Sequence, residues 1–304
     1  IFVVMIHIAH HAIYAHPLPE GHRFPMSKYE LLPQQLLLEG TCHKEQFFVP
    51  KRMADVHITQ THCADYYERL KSLSFSKKEA RRIGFPLSAE LIERECIIAQ
   101  GTLESCTFAL ENGVAFNVAG GTHHAFYDRA EAFCLLNDQA IAANYLLENN
   151  LAHKILIVDL DVHQGNGTAA LFQHNPAVYT FSVHGKANYP FQKEKSDLDI
   201  ALADNTQDTA YLSVVEETLY KLLNDFQPDF VFYLSGVDVL KEDKLGRLSV
   251  SLEGAKKRDE MVLSACYDRN IPVQCSMGGG YAPDVNIIVE AHANTYRVAA
   301  AIYD

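Results

Sequence analysis

The run Lys154-Ile155-Leu156-Ile157-Val158 is apolar and largely β-branched, and it passes directly into Asp159-Leu160-Asp161-Val162-His163-Gln164-Gly165-Asn166-Gly167. A strand apolar on both faces belongs inside a parallel sheet covered by helices, and the C-terminal ends of such strands are where open α/β sheets place their ligands. Thr168-Ala169-Ala170-Leu171-Phe172 then opens a helix. Asp159, Asp161 and His163 stand at alternate positions on that rim, and Asp161 with His163 offers one oxygen and one nitrogen ligand for a divalent metal. The same residues also suit a plain helix cap. Gly165 and Gly167 favour the first reading: a cap needs no pair of glycines beside an imidazole, whereas a backbone folded closely around an ion or substrate does.

The rest of the chain repeats the alternation. Val3 to Ala9 reads as a first strand; it is too short to span a bilayer and lacks the basic start of a signal peptide. His16 to Met26 is a loop by its prolines and glycine, and a loop of that length usually has a task. Lys28 to Leu38 is predicted helical, as is Ala89 to Leu110, with Gly101 its point of close packing. Gly113 to Val118 is a short buried strand ending at Gly120-Gly121-Thr122-His123-His124. Helix Leu135 to Leu147, the central strand Lys154 to Asp161 and strand Ala177 to Ser182, running out at Val183-His184, come next. Helix Thr209 to Phe226 is stopped by Pro228. Strand Phe230 to Ser235 ends in Gly236-Val237-Asp238, helix Ser251 to Tyr267 follows, strand Ile271 to Ser276 ends in Gly278-Gly279-Gly280-Tyr281, and helix Val285 to Tyr303 closes the chain. This order predicts an α/β fold over residues 1–304, a single domain with one parallel sheet flanked by helices on both faces.

Net charge of −12 argues against nucleic acid, which needs a basic stripe. An acidic body suits a cationic partner. Seven cysteines without a C-x-x-C motif fit reduced thiols and a cytoplasmic protein, and no run is long enough to call for a membrane.

Asp238 follows an apolar strand and a glycine on the same rim, which makes it the third ligand: two carboxylates, one imidazole and an open position describe a catalytic site, where a closed structural site would favour cysteines. The His123-His124 pair, on a glycine turn, can supply a proton acceptor and a donor if each ring is oriented from its far nitrogen, and Asp159 is a natural partner for one. Tyr281 can donate to a developing oxyanion.

Taken together, GGTHHA (120–125), AFCLLND (132–138), DLDVHQGNG (159–167), SVH (182–184), SGVDVLKEDKLGRLSVS (235–251) and GGGY (278–281) resemble the zinc-dependent histone deacetylase family, of the arginase/deacetylase fold. The loop PEGHRFPMSKY (19–29) and the short length are most similar to the class IV branch and its bacterial relatives. The resemblance implies one Zn²⁺ on Asp161, His163 and Asp238, with Tyr281 polarising the acyl carbonyl. It implies His124 as general base and then acid, oriented by Asn166, and His123 paired with Asp159 as its electrostatic partner. It places Phe133 and Tyr189, with Gly121, along a tunnel for an acyl-lysine stem, and a structural K⁺ or Na⁺ among Asp159, Asp161, His163, Ser182 and Val183.

The implied activity is hydrolysis of acetyl or longer acyl groups from lysine side chains of a peptide or protein. The alternatives are an acetylpolyamine or another acylated small amine as substrate, a ureohydrolase of the same fold, for which no second metal set is evident, or a silent acyl-lysine-binding protein. Three departures from the family pattern stand out: Asn166 replaces an aspartate, which should leave His124 less basic, Ala132 replaces the glycine before Phe133, and Ser276-Met277 replaces a further glycine.

Overall fold

The computed structural model describes residues 6–303. Eight strands form one all-parallel sheet: β1 (His7–Ala9), β2 (Phe47–Phe48), β3 (Val114–Asn117), β4 (Ile155–Asp159), β5 (Val178–Gly185), β6 (Leu198–Leu202), β7 (Phe230–Leu234) and β8 (Val273–Ser276), in the order β2-β1-β3-β8-β7-β4-β5-β6. Interior strands β3, β4, β7 and β8 are buried at every residue, as expected when helices cover both faces. β4 lies third from the β6 edge, so the predicted central strand is interior but off-centre. Its neighbours β7 and β5 pair with it in register, Asp159 lying opposite both Leu234 and Ser182. That register brings the sequences after β4 and β7 to one rim.

Helices predicted at 28–38 and 285–303 have those bounds, and the long one runs Ala89–Asn112. Ser88 caps it by accepting from Leu91 N, and Gly113, at φ +86°, ends it. A Cβ at Gly101 would stand 2.5 Å from the Tyr14 hydroxyl, which is the close packing expected there. Val3 to Met5 of the predicted first strand lie outside the described residues, and the described strand is only three residues long. Edge strands β2 and β6 and the short helices Asp55–Thr59, Ala64–Lys71 and Lys77–Ile83 went unpredicted. β6 alternates half-buried with exposed residues and β2 is two residues long, so neither carries a core pattern. Among the described residues, no helix is long and apolar enough to cross a membrane.

Candidate active site

The loops after β3, β4, β7 and β8 meet over the sheet rim and floor a cavity of about 550 Å³. Two glycine turns make the approach possible. Gly120 and Gly121 have φ of +81° and +72°, and a Cβ at Gly121 would come within 2.8 Å of the Gly278 backbone. Gly278 is itself at +71°. Asp138, at the start of the helix Asp138–Glu148, fixes the first turn by accepting from Gly121 N, Thr122 N, Thr122 Oγ1 and Thr102 Oγ1.

Asp161, His163 and Asp238 offer one ligand atom each, all within 4.8 Å of one another. One oxygen of each carboxylate is held from behind: Asp161 Oδ2 accepts from Gly279 N at 2.7 Å, and Asp238 Oδ1 accepts from Val162 N at 2.9 Å. The other two, Asp161 Oδ1 and Asp238 Oδ2, both lie 3.0 Å from His163 Nδ1. Burial opposes charging His163, but these two carboxylates outweigh it and bring its pKa up to about 10; burial and the neighbouring Asp161 push Asp238 up to about 7. Two carboxylates crowding one imidazole nitrogen in a dry site leave negative charge that a divalent cation would neutralise. At Gly279 a Cβ would fall 2.0 Å from Asp238 Oδ2, so the loop closes on these carboxylates only because that side chain is missing. The residues present fit a metal ion.

Both histidines of the turn are buried and oriented from Nδ1. His123 Nδ1 lies 2.7 Å from Asp159 Oδ2, and His124 Nδ1 lies 2.6 Å from Asn166 Oδ1. Burial works against the charged form of both. At His123 the carboxylate of Asp159 outweighs it and raises the pKa, whereas His124, beside a neutral amide and the cations of His123 and His163, is held well below the ordinary value. Gly165 is needed here: a Cβ would sit 2.3 Å from Asp159 Oδ2. Tyr281 lines the same cavity; burial first, then Asp238 and Asp161, push its phenol up, so it remains an O–H donor.

Phe133 and Tyr189 line the cavity with Gly121. Phe133 has φ of +69° and Ala132 +44°, an uncommon backbone for residues with a Cβ. Two hydrogen bonds hold it: Ala132 N donates to Arg82 O at 2.9 Å and Phe133 N to Ile83 O at 2.7 Å. Phe24, from the loop 16–26, meets Phe133 and Tyr281 edge-on at 5.2 and 5.9 Å. That loop is a wall of the site. Of the residues set out for a monovalent cation, Asp159 and Ser182 pair across β4 and β5, Val183 follows Ser182 on β5, and Asp161 and His163 lie in the loop after β4.

Residues 22–296 match the histone deacetylase domain. The chain belongs to the histone deacetylase family. A protein of Picosynechococcus sp. known only as uncharacterised is 42% identical over 97% of this chain and 99% of its own length, and histone deacetylase 2 of Arabidopsis thaliana is 27% identical over 91% and 74%. Among solved structures, an HDAC homologue complexed with SAHA superposes with a TM-score of 0.84 at 22% identity, over 98% of this chain and 84% of that one, which speaks for the arginase/deacetylase fold.

Four residues of this deacetylase-family site had not been singled out. Asp138 and Asp243 fix its turns; Asp243 accepts from Tyr281 N at 2.6 Å and from Leu245 N and Gly246 N at 2.8 Å. Lys28 is fully buried and donates to Gly278 O. Arg258, also fully buried, donates to Gly236 O at 2.6 Å and to Leu160 O at 3.3 Å, gripping the loops that carry Asp161 and Asp238 from beneath. The two aspartates and Lys28 lie inside the quoted segments and Arg258 outside them; nothing local marks Lys28 or Arg258 as buried.

Proposed function

We propose that the chain is a metal-dependent amidohydrolase that removes acetyl and somewhat longer acyl groups from lysine side chains of peptides or proteins. The observation that carries this reading is the convergence of Asp161, His163 and Asp238, the first two of them lining a cavity that His124 and Tyr281 also line. A metal on those three residues, Zn²⁺ by the donor set, would supply Lewis acidity toward water and an acyl oxygen. With Asn166 Oδ1 accepting from Nδ1–H, His124 keeps Nε2 free to take a proton from the attacking water and return it to the departing amine. His123, whose charged form Asp159 favours against the cost of burial, would add positive charge beside the tetrahedral oxyanion. Tyr281 donates to that oxygen from the opposite side.

Phe133 and Tyr189 offer apolar faces to a methylene stem, and the cavity of about 550 Å³, which Tyr29 and Ile98 also line, leaves room for acyl groups longer than acetyl. The expected structural K⁺ or Na⁺ at Asp159, Asp161, His163, Ser182 and Val183 belongs to the same proposal, as does action inside the cell on reduced-compartment substrates. A panel of acetyl-lysine peptides, longer acyl-lysine peptides and acetylated polyamines tests it with the metal-loaded protein. Turnover of peptides at least about tenfold above polyamines in kcat/KM, about 1.4 kcal/mol of transition-state binding, is expected. The reverse order would make it an acetylpolyamine hydrolase, and binding without turnover of any amide would leave only a silent acyl-lysine-binding protein.

A further inference from the structure

The chain carries 38 acidic against 26 basic residues, yet the cavity lining reverses that balance. Arg23, Arg82, Arg94, Lys244 and Arg247 line it, and the one carboxylate among its lining residues is the metal-site Asp161. Arg94 is buried and spent on Glu95. The other four are exposed at the mouth and come from three separate segments. Arg82 lies 3.6 Å from Glu131, a carboxylate already shared with Arg129 and with the Tyr189 hydroxyl, and Arg247 pairs with Asp204. Arg23 rests over the face of Phe133, its guanidinium 5.0 Å from the ring centre. Neither Arg23 nor Lys244 forms an ion pair among the described residues. An acidic body thus presents an electropositive mouth, and the mouth field is the one a substrate meets last, with low-dielectric walls to focus it. The expectation that overall acidity draws cationic partners does not extend to this surface.

We propose that the acylated amine this site takes carries negative charge just beyond the tunnel, as an acyl-lysine flanked by glutamate or aspartate does. The inference rests on the amidohydrolase reading above. A stem seated between Phe133 and Tyr189 leaves its flanking residues at the level of Arg23, Arg82, Lys244 and Arg247, where carboxylates gain charge-assisted hydrogen bonds and lysines meet like charge. Polyamines, cationic along their length, are disfavoured by the same field.

The test uses metal-loaded protein and three acetyl-lysine peptides of equal length with Glu, Gln or Lys at the flanking positions. Both kcat/KM and equilibrium binding by calorimetry are measured at low and at about 0.5 M salt, where screening acts within a few ångströms. The order Glu over Gln over Lys is expected, with at least about tenfold between the ends at low salt, expressed in KM and mostly lost at high salt. The double variant Arg23→Glu/Lys244→Glu should reverse the order. Equal or Lys-favoring values in the wild-type protein, or an order the double variant leaves alone, would overturn the inference. Turnover without the order sinks it and spares the hydrolase; the order in binding without turnover sinks the hydrolase and spares it; neither turnover nor binding sinks both.

Discussion

The floor and the mouth of the cavity face the same substrate but are built by different means. On the floor, the carboxylates and imidazoles are each fixed by a partner: backbone N–H groups of Gly279 and Val162 aim the carboxylates of Asp161 and Asp238, Asp159 and Asn166 aim the two histidines, and Arg258 ties down the carbonyls of Leu160 and Gly236. At the mouth, Arg23 lies across a ring and Phe191 is 88% exposed. A floor held this way can hold atoms to the tolerance that chemistry needs. The mouth can vary without disturbing it, which is how one catalytic floor can serve different substrates.

The comparison breaks most visibly if a floor ligand proves dispensable. Asp238→Ala removes one of the three proposed ligands, leaves Val162 N–H without its acceptor and leaves His163 Nδ1 with Asp161 alone, so bound metal and turnover should both be lost almost completely. Metal content of the purified variant decides the matter; a full complement of metal would remove Asp238 from the ligand set. Arg258→Met is the next largest effect. It leaves the buried Asp259 without its cation, and loss of one partner from a buried pair costs about 3–5 kcal/mol. Urea unfolding should show a loss of that order, whereas an unchanged midpoint would mean the rim does not depend on this grip.

Tyr281→Phe takes away one donor and nothing structural, so kcat should fall by about two to three orders of magnitude with metal and fold retained. Near-normal turnover would reduce Tyr281 to a wall residue. Asn166→Asp acts more gently. A carboxylate in place of the amide oxygen 2.6 Å from His124 Nδ1 favours the imidazolium, so the His124 pKa rises and the base is lost at higher pH than before. The acidic limb of the kcat/KM profile should therefore move upward in pH, and a limb that stays put would count against His124 as the base.

What the sequence discloses follows the same division. Floor residues sit at the ends of strands with continuous apolar runs, so β4, β7 and β8, and with them Asp161, His163, Asp238 and Tyr281, could be located from periodicity and glycine placement alone. Mouth residues are on loops and one short helix that only the fold assembles. Arg82 lies in the last turn of the short helix Lys77–Ile83, whose start carries a capping box from Ser76 to Glu79 and whose end is Gly84 at φ +84°; the Ser-x-x-Glu pattern and that glycine were the local signs of it. Arg23, Lys244 and Arg247 are separated by more than two hundred residues of chain at the extremes, and no pattern in a single sequence says that they face one opening. The net charge pointed the other way, because a sum over the chain says nothing about where the charges lie.

Two phenylalanines allow the finest test, because the same truncation should act differently on each side of the boundary. Phe133 is buried among Phe24, Phe85 and Tyr281, so Phe133→Ala opens a void and should cost about 3–5 kcal/mol of stability along with activity. Phe191 packs only edge-on to Tyr189, 6.2 Å between ring centres, and is otherwise in water. Phe191→Ala should leave the melting temperature unchanged. Its ring can gain contact only when a substrate covers it, and an aromatic contact of about 0.5–1.5 kcal/mol corresponds to a rise in KM of roughly twofold to tenfold. Because the contact is the same in ground and transition states, kcat should not change. A fall in kcat at saturating substrate would show that the mouth helps to set the geometry of the floor, and the two regions would then have to be treated as one.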